Sequence, residues 1–154
     1  MKQTHKIQEI EIVIDSINKE CNKITSSNLN FGLYLDKIKQ EQQQDAKIMV
    51  PTKDGMIFLK INEIIRLQSE SNYTIFYLIG NKKILIAKTL KNFEEKLLLF
   101  KFMRIHQSHL INLAHLKGID HGDNLVIMTE GAKVEISKRK KKEFMEAVEK
   151  NNGL

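Results

Sequence analysis

The hydrophobic positions change rhythm along the chain. Ile7, Ile10, Ile14, Ile17, Cys21 and Ile24 recur at steps of 3, 4, 3, 4 and 3, which lays them on one stripe of a helix. A short coiled coil that pairs subunits fits this spacing, and so does an amphipathic helix lying on its own domain. Ile10, Ile12 and Ile14 also alternate with Glu9, Glu11 and Asp15, so a strand stays open, because β-branched residues suit either state. The expectation taken forward is a dimerising helix over residues 4–24. The run Thr25-Ser26-Ser27-Asn28-Leu29-Asn30 breaks the pattern and offers helix N-caps. A second helix is expected from about Phe31 into the forties, carrying Leu35 and Ile38 and fading through Gln40-Glu41-Gln42-Gln43-Gln44-Asp45. The boundary is placed near Ala46, separating an α-helical segment and linker, 1–47, from a body, 48–150.

From Ile48 the apolar runs become short and are separated by turn residues, the texture of strands. Ile48-Met49-Val50-Pro51 and Met56-Ile57-Phe58-Leu59 flank Asp54-Gly55, a strong hairpin signal. Ile61 to Ile65 has room for one helical turn before Arg66-Leu67-Gln68-Ser69. Tyr73 to Ile79 is the clearest strand, and Gly80-Asn81-Lys82-Lys83 turns it into Ile84-Leu85-Ile86-Ala87. Thr89 is placed to cap a helix running to about Phe100, with Leu90, Phe93, Leu97 and Phe100 on its inner face. Gly118 is read as ending the next segment. A last hairpin pairs Leu125-Val126-Ile127-Met128 with Lys133-Val134-Glu135-Ile136, and Ser137 is read as the N-cap of a final helix carrying Phe144, Met145 and Val148. Seven or so short strands and two or three helices make the body mainly β.

Length and composition narrow the class. The chain has 154 residues, 42% of them hydrophobic and 29% charged, ordinary values for a globular protein. No apolar run is long enough to span a membrane, and the N-terminus lacks a signal-peptide core. One cysteine, Cys21, excludes an intrachain disulfide framework and suits a reducing cytoplasm. Its expected role is a small buried hydrophobe. The net charge of +6 is uneven. Residues 1–47 hold seven Lys/Arg and seven Asp/Glu, whereas residues 48–154 hold eighteen against twelve. A basic body suggests a polyanionic partner.

Catalysis finds little support. No serine sits in a Gly-x-Ser-x-Gly elbow and no glycine-rich loop is present to cradle phosphates. His106, His109, His115 and His121 lack partners at zinc-site spacing, with the one cysteine far away in the chain. No catalytic residue, metal or cofactor is expected.

Two stretches carry more information. Ser137-Lys138-Arg139-Lys140-Lys141-Lys142 places five consecutive cations at an expected helix start. The helix dipole disfavours them there, but cations and free amides together suit phosphates. The second stretch, Phe102-Met103-Arg104-Ile105-His106-Gln107-Ser108-His109-Leu110-Ile111-Asn112-Leu113, sets polar groups inside an apolar run. Arginine can fork onto guanine, and glutamine can pair with adenine.

This second stretch resembles the signature of LytTR-type DNA-binding domains: an arginine, an apolar residue, a histidine, a variable residue and a serine, ending in an asparagine. Ile64-Ile65-Arg66-Leu67-Gln68-Ser69-Glu70-Ser71-Asn72-Tyr73-Thr74 resembles the family's early strand and loop. Lys133-Val134-Glu135-Ile136-Ser137-Lys138-Arg139 resembles its closing element. The likeness runs over about residues 48–150. It implies an elongated, mainly β body of small antiparallel sheets with short helices, reading double-stranded DNA by loops in successive major grooves at imperfect direct repeats.

Carried over residue by residue, the resemblance places Asn72, Tyr73 and Thr74 in one reading loop, Gln107 and Ser108 in a second, and Lys138 with Arg139 in a third. Gln107 and Lys138 or Arg139 would reach base edges, and Lys140, Lys141 and Lys142 would hold phosphates. Arg104, His106 and Asn112 would either contact DNA or tie the loop's backbone down. Two departures stand out: Gln68 where the family often has glutamate, and Lys138 where arginine is commoner, which changes contact geometry. The 47 leading residues are too few for the phospho-acceptor receiver domain common in the family. The resemblance therefore implies a cytoplasmic, non-enzymatic bacterial transcription regulator. Residues 4–24 would supply a homo-oligomer contact or meet a separate sensor protein. A protein-interaction module docking an acidic partner is the alternative. RNA binding is another, but it calls for displayed aromatic residues, and Tyr73 is the single tyrosine in an expected loop.

Overall fold

The computed structural model describes residues 12–16 and 28–152. Contacts divide the chain into two compact units, Met1–Gln42 and Gln43–Leu154. In the first, residues 12–16 are helical with Ile12, Val13 and Ile14 exposed, so the strand reading fails there. Helix α1, Asn28–Gln44, starts earlier than expected and carries the glutamine run. The rest of the heptad over 4–24, Cys21 included, lies outside the described residues.

The second unit holds ten strands. β1 (Lys47–Thr52) and β2 (Gly55–Lys60) form the hairpin signalled by Asp54-Gly55. Five strands make the central sheet in the order β5-β4-β3-β7-β6, all antiparallel. These are β3 (Ile64–Glu70), β4 (Tyr73–Leu78), β5 (Lys82–Ile86), β6 (Phe102–His106) and β7 (His109–Asn112). A third sheet joins β8 (Leu116–Asp120), β9 (Leu125–Met128) and β10 (Lys133–Glu135). Helix α2 spans Leu90–Leu97 and α3 spans Lys141–Asn151.

Through β3, β6 and β7 the central sheet is covered on both faces, which explains the sequence there. One core gathers Ile48, Val50 and Leu59 of the hairpin, Leu90, Phe93 and Leu97 of α2, and Ile64, Leu67, Phe76 and Leu110 of the sheet. The other gathers Ile65, Ile105 and Ile111 of the sheet with Val126, Met128, Val134, Ile136 and Phe144. β3 therefore reads Ile64-Ile65-Arg66-Leu67 without alternation, all four buried, as a strand covered on both sides should. A register shift between Ile64 and Arg66 marks an irregularity in the same run. Leu90, Phe93 and Leu97 of α2 are buried as expected, and the Phe93 ring meets Phe76 edge-on at 4.8 Å.

Some local expectations need correction. Ten strands replace seven because Phe102 to Asn112 folds as a hairpin and Gly118 lies inside β8 instead of ending it. Neither expected cap acts through its hydroxyl. Thr89 Oγ1 accepts from the Asn92 side chain. Ser137 lies a turn upstream of α3, and its carbonyl accepts from Lys140 and Lys141.

Two polar links brace the central sheet, one to the β9–β10 turn and one within the sheet itself. Arg66 is buried between β3 and the β9–β10 turn, with Nε 2.7 Å from Glu130 Oε1 and side-chain exposures of 9% and 14%. Its other end donates to Gln68 Oε1 at 3.0 Å, and its guanidinium lies 3.4 Å from the Tyr77 ring centre. Gln68 Oε1 also accepts from the Tyr77 hydroxyl at 3.2 Å. Gly131 follows Glu130 at φ 89°, a left-handed conformation that glycine takes without strain. Asn112 is the second link. Its amide donates to Ile64 O at 2.9 Å and its Oδ1 accepts from Ala114 N at 3.0 Å, so the closing asparagine of the signature is a buried clip.

Candidate nucleic-acid interface

The stretch Phe102 to Leu113 folds back on itself at Gln107-Ser108. Arg104 holds that turn from inside. Its Nη2 donates to Gln107 O at 2.6 Å, its Nε to His106 O at 3.4 Å, and its Nη1 meets Glu94 Oε2 of α2 at 2.6 Å. His106 supports the same turn, its Nδ1 accepting from Ser108 N at 3.2 Å. The backbone is thus fixed from both ends while the Gln107 side chain stays exposed. Arg104 and His106, read from the sequence as either DNA contacts or ties on the loop, both hydrogen-bond the loop's backbone.

The β3–β4 turn lies beside it. β3 pairs with both β4 and β7, Gln68 sits opposite His109, and Ser69 N donates to Ser108 O at 2.9 Å. Both turns therefore leave the same end of the central sheet. Asn72 is exposed, and Tyr73 is 45% exposed at the start of β4. Thr74 is a correction. It is 0% exposed and its hydroxyl donates to Lys88 O at 2.7 Å, so it fastens β4 to the segment after β5 and offers nothing to an outside ligand.

The basic segment is joined to the signature hairpin through the backbone. Ser137 N donates to Ile105 O at 2.8 Å, carrying the chain from β10 past the end of β6. A shallow groove of about 340 Å³ opens there, lined by Arg104, His106, Gln107, Ser137, Arg139 and Lys140. Lys138, Arg139 and Lys142 are exposed and make no ion pair among the described residues. Lys140 pairs with Glu143 at 2.8 Å. Lys141 Nζ donates to Asn124 Oδ1, which leaves two ammonium hydrogens for other acceptors. Asn124, at φ 54°, also accepts Ile136 N at 2.9 Å through its carbonyl. The β8–β9 turn thus braces the segment.

His109 opposes His106 across the hairpin, ring centres 5.5 Å apart. Burial, with the nearby His106 and Arg66 adding to it and Glu135 opposing, lowers its pKa from 6.5 to about 4. It is neutral at pH 7, and its buried Nδ1 has no hydrogen-bond partner among the described residues. Among the described residues no three His, Cys, Asp or Glu side chains gather as a metal-binding group. No helix among them is long and apolar enough to cross a membrane.

No local sequence signal marks Glu94 or Asn124. Each meets its partner across the fold, ten and seventeen residues away. The exposed side chains around the two turns and the basic segment include amide, phenol, ammonium and guanidinium groups, which suit base edges and phosphates, alongside the carboxylates of Glu70 and Glu143 and the hydroxyl of Ser71.

Residues 54–149 match the family described as the LytTr DNA-binding domain. The chain belongs to the LytTR family. It is 28% identical over 107 residues to the transcriptional regulatory protein LytR of Staphylococcus aureus strain N315, covering 68% of this chain and 43% of that protein. It is 27% identical over 117 residues to the sensory transduction protein LytT of Oceanobacillus iheyensis, covering 76% and 47%. The chain spans less than half the length of these curated relatives. Among solved structures, the LytTr DNA-binding domain of a Bacillus cereus protein described as a methyl-accepting/DNA response regulator shares the fold. That match has a TM-score of 0.57 and 23% identity, covering 68% of this chain and 97% of that one. The small antiparallel sheets and short helices of this LytTR domain are those of the family fold.

Proposed function

We propose that this LytTR domain binds double-stranded DNA sequence-specifically, as the DNA-binding part of a cytoplasmic bacterial transcription regulator. Residues 48–150 form the binding body. Its turns enter successive major grooves of a site built from imperfect direct repeats. Gln107 reads one base edge, Lys138 or Arg139 reads another, and Asn72 with Tyr73 makes the third contact. Lys140, Lys141 and Lys142 hold phosphates, which position the body without reading sequence. Arg104, His106 and Ser108 keep the Gln107 turn in shape. Residues 1–47 supply a homo-oligomer contact or meet a separate sensor.

The observation that carries this reading is the bond from Ser137 N to Ile105 O at 2.8 Å. It sets the exposed cations Lys138 and Arg139 beside an exposed glutamine whose backbone is already immobilised. Pre-ordered loops lose less entropy on binding, and a glutamine presented this way can use both its donor and its acceptor on one base. Selection of bound duplexes from a random-sequence pool tests the proposal. Enrichment of a repeated motif is the expected result, and recovery of unbiased sequence would reject specific recognition.

A further inference from the structure

We propose that Glu94 is a positioning residue that keeps Arg104 away from DNA and so leaves base reading to Gln107. The inference rests on the base-reading role of Gln107 given above. Arginine is the side chain best suited to fork onto guanine or phosphate, and Arg104 lines the groove with Arg139 and Lys140. Yet each of its nitrogens already has a protein acceptor: Nε bonds His106 O at 3.4 Å, Nη1 Glu94 at 2.6 Å and Nη2 Gln107 O at 2.6 Å. Of these acceptors only Glu94 carries charge. All three bonds are charge-assisted by the guanidinium, and only the one to Glu94 adds attraction between full opposite charges, so Glu94 decides which way the guanidinium turns.

Glu94 is itself fixed. It follows Phe93, which is buried against Phe76, and the same helix buries Leu90 and Leu97. A helix locked into the core through three side chains holds the carboxylate at a set place beside the signature hairpin. The Glu94–Arg104 pair is 34% and 26% exposed, so it contributes little to folding stability. Its consequence lies in where one cation points. With Glu94 neutral, Arg104 is released toward phosphate, which meets it in any sequence, and the Gln107 carbonyl loses its tether.

The test is a set of duplex titrations on the full chain with the selected site and a random-sequence duplex. The proteins are Glu94→Gln, Gln107→Ala and the double variant. Glu94→Gln is expected to raise affinity for random duplex and steepen its log–log salt slope by about 0.9. The ratio of specific to random affinity is expected to fall about tenfold. In the Gln107→Ala background that fall should vanish, and the thermal midpoint should stay within a few degrees of the parent throughout. An unchanged ratio and slope in Glu94→Gln would overturn the inference. Equal losses on both duplexes with a depressed midpoint would also overturn it, since that is the mark of a merely structural pair. An unchanged ratio in Gln107→Ala alone would instead remove the base-reading role beneath it.

Discussion

The carbonyl of Ile105 accepts the amide hydrogen of Ser137 at 2.8 Å. The two residues stand 32 positions apart, yet this bond makes the end of β6 and the start of the basic segment neighbours. Ile105 and Ile136 are both buried in the second core, so the bond is protected from competing water. On either side of it the side chains turn outward, Gln107 on one strand end and Lys138 with Arg139 on the other.

Gln107→Ala tests the hydrogen-bonding half of recognition. The substitution removes the amide but leaves the backbone held by Arg104. It is expected to cost about 1–3 kcal/mol on the selected duplex and little on random duplex. Fluorescence anisotropy titration of both reads the difference, and equal losses would deny Gln107 a base contact.

Lys142→Ala tests the electrostatic half. Lys142 is exposed in the first turn of α3 and makes no ion pair among the described residues, so its loss breaks none there. If about five cations neutralise phosphates, the parent slope of log affinity against log salt is about −4 to −5. The variant should bind both duplexes more weakly and shallow that slope by about 0.9. A loss confined to the selected site would reassign Lys142 to base reading.

Arg66→Met tests the link between the central sheet and the β9–β10 turn. It strands the Glu130 carboxylate, 14% exposed, beside an apolar side chain. Removing one partner of a buried pair costs about 3–5 kcal/mol, and urea unfolding should show it as a lowered midpoint. Adding Glu130→Gln should recover part of the loss, because the stranded charge is then gone. No recovery would mean that Arg66 acts through its packing on Tyr77 instead.

His109 predicts a pH dependence of stability. Its folded pKa of about 4 lies below the unfolded value near 6.5, so the unfolded chain takes up the proton first. Its contribution is whole above about pH 6.5 and is lost as pH falls toward 4. Allowing for its partial contact with water, the loss from pH 7 to pH 5 is on the order of 1 kcal/mol. Urea unfolding of His109→Gln beside the parent at several pH values checks this. An equal slope in both proteins would place the dependence elsewhere.

Much of this was legible in the sequence where local chemistry decides. Asp54-Gly55 marked its hairpin, Leu90, Phe93 and Leu97 marked the buried face of α2, and the order of three motifs marked the family. The β6–β7 hairpin was not, because a sheet buried on both faces loses the alternation that announces a strand. Long-range partners were hidden for a different reason. Thr74 reads as a loop residue until its hydroxyl is found on Lys88 O. Arg104 reads equally as a DNA contact or as a tie on its loop, and its partner Glu94, ten residues away, is not announced by any local pattern.

The most direct test of the shared reading edge is an amide NMR titration of the full chain with the selected duplex. Large shifts grouped at 72–73, 107–108 and 138–142, saturating together at one stoichiometry, are the predicted result. Saturating shifts that spare all three segments would contradict it.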